Sequence, residues 1–326
     1  MVQVSNADRV VFPEVHRTKG DVVAYYERIA PRALVHIEGR PLSIKRFPKG
    51  LAGPGFFQKN VPSHYPESIG RFEVPRSRAA AKKHPRKAKA GKDATVATEE
   101  PDVTIYPLVG EPEHLAYLAN QGAIELHIPT ARVPNLSEPD RVVIDLDPPA
   151  GAVDLVRRAA HLTRELLEEL GLDSVPVATG SKGYHVIAAI APSVSGGTLA
   201  LTLQKVAALL AAKHPDKLTT AFRIAQRGQR VFVDWLRNLP GATVVAPYSL
   251  RARPRATVAT PLAWAELDIR APDAFSIDDV ELLLDRPDSL ATRAESPSDG
   301  ERFVTNVDAA FEKSGLVLET FDRFRS

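Results

Sequence analysis

Two aspartates one residue apart stand at the end of an apolar run in Arg141-Val-Val-Ile-Asp-Leu-Asp-Pro-Pro149. The β-branched run reads as a buried strand, and side chains at i and i+2 of a strand point to one face. Asp145 and Asp147 are therefore expected side by side, with Pro148-Pro149 ending the strand just beyond them. Two anions about 4 Å apart repel by roughly 4 kcal/mol at an effective dielectric of about 20. A cation removes that repulsion, and hard cations such as Mg²⁺ prefer oxygen ligands of this kind, often shared with substrate phosphates. Alone, the pair would equally suit an acid pair at an exposed strand end.

Asp234 repeats the oddity, as an acid inside the apolar stretch Arg230-Val-Phe-Val-Asp-Trp-Leu236. A buried carboxylate needs a partner or a raised pKa. Three acids on neighbouring strands would make a two-metal site, which stabilises both the attacking and the leaving oxygen of phosphoryl transfer. The alternative for Asp234 is a structural ion pair with a nearby arginine such as Arg237.

Between these acids lies Thr179-Gly-Ser-Lys-Gly-Tyr-His185. A short glycine-containing turn between two strands exposes backbone N–H groups to anions, and Lys182 adds a point charge. Ser181 and Gly183 belong to the same turn, and His185 begins the next strand, aimed at the same end of the sheet. The stretch is not a Walker A loop, because the GxxxxGK[ST] spacing is missing and a strand follows. An ordinary glycine turn with a surface lysine is the competing reading.

Three further clusters carry chemistry. Gly53-Pro-Gly-Phe-Phe-Gln-Lys-Asn60 sets Phe56 and Phe57 beside Lys59, which suits base stacking with a phosphate contact. Core packing is the alternative, and one of the two rings is expected in the core. Ala246-Pro-Tyr-Ser-Leu-Arg-Ala-Arg253 brings Arg251 and Arg253 after the third acid, where bidentate arginine–phosphate contacts are available. His127, in Ile124-Glu-Leu-His127, lies on an apolar piece where a lone histidine is usually a satisfied core residue.

The elements that must position these residues read as one α/β or α+β unit with an N-terminal subdomain packed on it. Thr18-Lys-Gly-Asp21 starts a helix with Val22, Val23, Tyr25, Tyr26 and Ile29 on its apolar side, and Pro31 is expected to end or kink it. Short strands are expected near Leu42–Phe47 and Gly55–Phe57, and a helix over Glu113–Asn120. The centre reads as a βαβ unit: strand Val142–Asp147, helix Ala152–Leu170 closed by Gly171, then strand Val175–Ala178. Strand Tyr184–Ile190, helix Leu199–Lys213 and the Asp234 strand follow, with helices near Ile277–Leu284 and Asn306–Lys313 in the tail. This divides the 326 residues into an N-terminal subdomain (1–130), a catalytic core (131–262) and a C-terminal tail (263–326) of one catalytic unit.

Composition narrows the class. Hydrophobic residues make up 44% of the chain, enough for a globular core. No apolar run is long enough to span a membrane and no signal peptide opens the chain. The absence of cysteine excludes disulfides, thiolate zinc sites and thiol nucleophiles, and suits a cytoplasmic protein. The net charge of +2 is uninformative beside its distribution: Arg71 to Lys92 holds nine Lys/Arg and one acid, Glu73. Ser77–Pro101 reads as a flexible basic insertion or long hairpin tip, able to hold template or downstream duplex by salt-sensitive contacts or simply to be solvated.

Six pieces in order resemble one family. Phe-Phe-Gln-Lys, Ala-Asn-Gln-Gly-Ala-Ile-Glu-Leu-His, Ile-Asp-Leu-Asp-Pro, Gly-Ser-Lys-Gly-Tyr-His, Val-Phe-Val-Asp-Trp and Ala-Pro-Tyr-Ser-Leu-Arg are similar to the polymerase domain of bacterial ATP-dependent ligase D. That domain is a branch of the archaeo-eukaryotic primase superfamily, and the resemblance runs from about Asn6 to Leu267. It implies a primase-polymerase-like catalytic fold, with central β-sheets flanked by helices. It also implies nucleotidyl transfer, in which a primer 3′-hydroxyl attacks the α-phosphate of an NTP or dNTP. By the resemblance, Asp145, Asp147 and Asp234 match the metal-binding acids, and Thr179, Lys182 and His185 match the triphosphate loop. Lys45 and Arg251 match further triphosphate contacts, His127 a histidine near the nucleotide sugar, and Phe56 and Phe57 the stacking aromatics. Asn6, Arg9 and Lys19 match a pocket for the 5′-phosphate of a gap or break. Mn²⁺ (or Mg²⁺) in a two-metal site and a preference for ribonucleotides are typical of the family.

Two departures stand out. Thr179 stands where relatives often have Ser, and the basic insertion is longer than usual. The chain carries no ligase nucleotidyl-lysine motif, so it reads as a stand-alone polymerase, which makes excision-repair gap filling a rival to end joining. The implied partners are gapped or broken 5′-phosphorylated DNA and, for recruitment, Ku or a ligase. The chain is expected to act as a monomer at the nucleoid. The rival functions are a catalytically inactive DNA-end binder and a metal-dependent nuclease.

Overall fold

The computed structural model describes residues 3–75 and 103–318, so the predicted basic insertion at 77–100 lies outside the described residues. Fourteen strands are present among the described residues. In the N-terminal part these are β1 (Val10–Phe12), β2 (Arg17–Thr18), β3 (Ser43–Arg46), β4 (Phe56–Gln58), β5 (Gly70–Pro75), β6 (Val103–Leu108) and β7 (Ala123–Ile128). Then come β8 (Arg141–Asp147), β9 (Ser174–Ala178), β10 (Tyr184–Ala189), β11 (Leu218–Thr219), β12 (Val231–Asp234), β13 (Val244–Val245) and β14 (Thr260–Pro261).

A six-stranded sheet runs in the order β11-β12-β8-β10-β9-β14, and a four-stranded sheet in the order β13-β7-β3-β4. The helices Val153–Glu169 and Gly196–Lys213 pack on the larger sheet. Their apolar faces, including Leu162, Leu166, Leu203 and Leu210, are buried. Each such leucine stabilises the fold by roughly 1.5–3 kcal/mol when fully removed from water. Such a mixed α/β architecture is the expected class.

The predicted βαβ unit is present, but its strands are not neighbours. β8 and β9 both pair antiparallel with β10, which lies between them. The reason is local: β9 turns straight back through the five-residue loop Thr179–Gly183 into β10. β12 closes on the other edge of β8, also antiparallel. β8 is thus hydrogen-bonded on both sides and buried along nearly its whole length, which is why its sequence is a continuous apolar run rather than an alternation.

The first helix differs from expectation. It begins at Lys19 behind a reciprocal cap, with Asp21 N–H donating to Thr18 Oγ1 (3.2 Å) and Thr18 N–H to Asp21 Oδ2 (2.7 Å). It then runs through Pro31 to Ile37. An interior proline costs about 3 kcal/mol. Here Pro31 and Glu27, whose carbonyl loses its donor, both lie on the exposed side, so water can satisfy that oxygen. The opposite side buries Ile29, Ala30, Ala33 and Ile37 and packs on the helix Pro112–Asn120, which outweighs the lost bond.

Candidate active site

Three strands carry the acids and the histidine into one transverse row. Asp145 on β8 is the register partner of Asp234 on β12 and of His185 on β10. Directly paired residues of antiparallel strands share a face, so Asp234, Asp145 and His185 line up across the sheet. Asp147 follows two residues along β8 on the same face. The neighbouring apolar side chains Val233 and Leu146 point the other way, into the core. Alternation therefore puts the acids on the face turned away from Val233 and Leu146.

That side holds a pocket of about 170 Å³ lined by residues of both sheets, among them His127, Asp145, Asp147, Lys182, His185 and Arg251. Its floor is the β9–β10 loop. Gly183 is obligatory there, because a Cβ would fall on the carbonyl oxygen of Leu146 closer than any real Cβ approaches. Gly180 adopts a left-handed φ of +64°, and a Cβ there would meet Arg251 and the Val258 backbone. Two of the loop's amides serve the fold: Thr179 N–H donates to Gly183 O (3.2 Å) and Gly180 N–H to Pro272 O (2.8 Å). The Thr179 hydroxyl also closes the loop, donating to Gly183 O at 2.6 Å. The N–H groups of Ser181 and Lys182 donate to no protein acceptor among the described residues. The anion-facing part of the loop is therefore narrower than its sequence suggests.

The acids are unequal. Burial raises the Asp145 pKa, but His185, whose Nε2 lies 3.5 Å from Oδ1, and Arg237, whose Nε lies 3.1 Å from Oδ2, hold it down at about 2. Burial and the charge of Asp145 push Asp234 up to about 6, against Arg237 Nε at 3.3 Å. Asp147 is raised by burial and by Asp145. It is also the one of the three with no ion pair among the described residues. Oxygen donors of this kind suit Mg²⁺ or Mn²⁺. As they stand, however, no group of His, Cys, Asp or Glu among the described residues forms a closed cage for an ion. The ion pair of Asp234 with Arg237, the alternative weighed from sequence, is present as well.

The roof is organised by a residue that the sequence reading passed over. Glu125 on β7 is only 3% exposed. It accepts from His127 Nε2 (3.0 Å) and Ala252 N–H (3.0 Å), with Lys45 Nζ at 3.6 Å and Arg251 Nε at 3.7 Å. Burial raises its pKa, but His127, Arg251 and the Ala252 amide bring it down to about 2. Burial lowers the pKa of His127, which favours a neutral ring despite Glu125. An acid inside the apolar strand Ala-Ile-Glu-Leu-His is the same signal that singled out Asp234, and it marks Glu125 equally. Arg251 also donates to the carbonyl of Thr179, tying roof to floor.

Both phenylalanines are exposed, Phe56 by 48% and Phe57 by 55%, which corrects the expectation that one is core. They sit on β4, an edge strand of the smaller sheet, and as neighbours along a strand they point to opposite faces, so both faces are open there. Phe57 meets His127 edge-on at 5.2 Å, with Lys45 Nζ 5.8 Å from its centroid. Phe56 lies 5.8 Å from the Arg46 guanidinium, and Lys59 is exposed beyond it.

Asn6, Arg9 and Lys19 come together at the start of the first helix. Arg9 N–H donates to Asn6 O (3.1 Å) and Lys19 N–H to Arg9 O (2.8 Å). Lys19 is buried, its ammonium donating to Ser5 O (2.7 Å) and Ser5 Oγ (2.8 Å), and burial followed by Arg9 lowers its pKa. Arg9 Nε is buried without a partner.

Comparison with known proteins fits this geometry. The family model for the LigD primase-polymerase domain matches residues 18–290. The chain is 34% identical over 306 residues to the multifunctional non-homologous end joining DNA repair protein LigD of Mycobacterium tuberculosis, covering 90% of this chain and 37% of that protein. It is 28% identical over 283 residues to the bifunctional LigD of Bacillus subtilis, covering 86% of this chain and 42% of that protein. The chain thus spans about two fifths of the length of these relatives. Among solved structures, the polymerase domain from Mycobacterium tuberculosis ligase D in complex with DNA superposes with a TM-score of 0.78 at 32% identity. That match covers 91% of this chain and 99% of the other.

Proposed function

This chain belongs to the LigD primase-polymerase family, and from that premise we propose that it is a template-dependent polymerase that fills short gaps at 5′-phosphorylated DNA ends. The reaction is nucleotidyl transfer. The primer 3′-hydroxyl gives up its proton to solvent as its oxygen bonds to the α-phosphorus of the incoming nucleotide, the bond from that phosphorus to the bridging oxygen of the β-phosphate breaks, and pyrophosphate leaves. One observation carries the reading: Asp234, Asp145 and His185 stand in a row with Asp147 beside them, and Asp145, Asp147 and His185 line a pocket that Lys182, Arg237, Arg251 and Arg253 line as well.

Asp145, Asp147 and Asp234 would hold two divalent cations, Mn²⁺ or Mg²⁺. When bound, such ions stabilise the attacking and leaving oxygens of an in-line displacement. The chain's own residues do the rest. Ser181 and Lys182 offer amides and an ammonium to the triphosphate, and Thr179, Gly183 and the Gly180 turn set the shape that aims them. Lys45 and Arg251, fixed through Glu125, supply further charge. His127, packed against Phe57, would meet the nucleotide sugar, and the proposed preference for ribonucleotides is assigned to that wall. Phe56 and Phe57 offer faces for base stacking and Lys59 a phosphate contact. Asn6, Arg9 and Lys19 would take the 5′-phosphate, at a helix start that favours anions.

The relatives are named for non-homologous end joining. End joining or excision-repair gap filling is therefore the proposed setting, with Ku or a ligase as partner. Purified protein incubated with labelled gapped DNA and Mn²⁺, with and without nucleotides, tests the reading. Nucleotide-dependent extension supports it. An unchanged primer would point to an end-binding module, and shortening to a nuclease.

A further inference from the structure

The residue with the least obvious place in this site is Arg237. Its Nε reaches the facing Oδ2 atoms of two acids, Asp145 at 3.1 Å and Asp234 at 3.3 Å. These are the oxygens with most to offer a metal. The other Asp145 oxygen faces His185, and the other Asp234 oxygen accepts from Leu236 N–H at 2.9 Å. One guanidinium therefore sits on the inner edge of the acid row, where carboxylates would otherwise meet uncompensated.

Its backbone is anchored by a neighbouring residue, while its part-exposed side chain is held by the two acids. Arg237 lies in the short 3₁₀ turn Leu236–Asn238. The next residue, buried Asn238, clips that turn to β8: Oδ1 accepts from Val143 N–H (2.8 Å) and Nδ2 donates to Val143 O (2.6 Å). The side chain of Arg237 is 41% exposed. It can leave the acids for solvent or for the pocket it lines without moving the strand below.

We propose that Arg237 is a positioning residue that sets the metal affinity of the site: it holds Asp145 and Asp234 together while no divalent ion is present, and must swing off them for an ion to bind. This rests on the reading of the acids as metal ligands. A divalent ion bonds carboxylate oxygens at roughly 2.0–2.6 Å. The guanidinium already contacts the same two oxygens, so the two cations compete for one place. Asp147, free of ion pairs among the described residues, is the acid through which the exchange begins.

The test is nucleotide-free Mn²⁺ binding to the full chain, followed by the electron paramagnetic resonance of unbound Mn²⁺, for the parent, Arg237→Gln, Arg237→Lys and Asp145→Asn. Losing the competing guanidinium should tighten Mn²⁺ binding about tenfold, a change of about 1.4 kcal/mol. Arg237→Lys, with charge but no fork, should fall between Arg237→Gln and the parent. The metal-free melting temperature of Arg237→Gln should fall, and saturating Mn²⁺ should close that gap. Damage to a merely structural residue would weaken metal binding. Parent binding that needs Asp145 but is unchanged or weakened in Arg237→Gln and Arg237→Lys overturns the role of Arg237 alone. Absence of any Asp145-dependent Mn²⁺ binding overturns both this role and the metal assignment beneath it.

Discussion

Asp145 and Asp234 face each other as direct register partners across β8 and β12, and one guanidinium, that of Arg237, spans them. Two buried carboxylates in such a pair cannot both ionise without a counter-charge. The fold meets that demand with a part-exposed arginine, on strands whose backbones are fixed by hydrogen bonds on both edges of β8.

The glycine under the loop gives the first prediction. Gly183→Ala places a methyl on the Leu146 carbonyl, a backbone atom that cannot rotate away. The variant should lose about 3 kcal/mol of stability and displace Lys182 with the loop. Chemical denaturation reads the first effect and nucleotide KM the second. A variant as stable as the parent would mean that the loop and β8 are not this close.

Glu125 gives the second. Glu125→Gln keeps a hydrogen-bond acceptor for the Ala252 amide but removes the charge shared by Lys45, His127 and Arg251. Nucleotide KM should rise about tenfold, corresponding to about 1.4 kcal/mol, with kcat changed far less. Steady-state kinetics over a nucleotide series checks this split. An equal fall in kcat with unchanged KM would contradict a positioning role.

The far end of β8 gives a pH prediction. Asp140 pairs with Arg40 and Arg132, and beside Arg141 as well. Burial raises its pKa, but Arg141, Arg40 and Arg132 bring it down to about 2. A folded-state pKa below the unfolded one contributes stability that is present above the unfolded pKa and is lost as pH falls through the folded value. Asp140→Asn should therefore cost about 2 kcal/mol at neutral pH. That gap should narrow between the ordinary aspartate pKa and about 2. Paired denaturation curves across that range decide it; a gap independent of pH contradicts the ion-pair account.

The proposed 5′-phosphate pocket gives another. Arg9→Ala should abolish discrimination between phosphorylated and unphosphorylated gaps while leaving extension of a simple primer–template intact. Lys19 is a poorer probe, because its buried ammonium also holds Ser5. Preserved discrimination in Arg9→Ala would remove Arg9 from the phosphate site.

The acid row was legible in the sequence because alternate residues of a strand share a face, so Asp145 and Asp147 had to stand together, and an acid inside an apolar run marks a buried charge that needs a partner. The long helices were legible by their spacing. β13 and β14, of two residues each, carry no periodicity to read. Pro31 misleads because a local penalty was outweighed by packing on the helix Pro112–Asn120, which sequence spacing does not reveal. The phenylalanine pair misleads for a related reason, since β4 is an edge strand and both its faces are open. Glu125 could have been found by the rule that found Asp234. The bridging place of Arg237 depends on the Asn238 clip to Val143, a contact between residues 95 apart in the chain.

The most direct test of the central claim is extension of a primer on gapped, 5′-phosphorylated DNA with Mn²⁺ and nucleotides, comparing the parent with Asp147→Asn and Asp145→Asn. The parent should extend the primer in a template-directed way, and neither variant should extend it while both still bind the gapped DNA. Normal extension by either variant would contradict the claim.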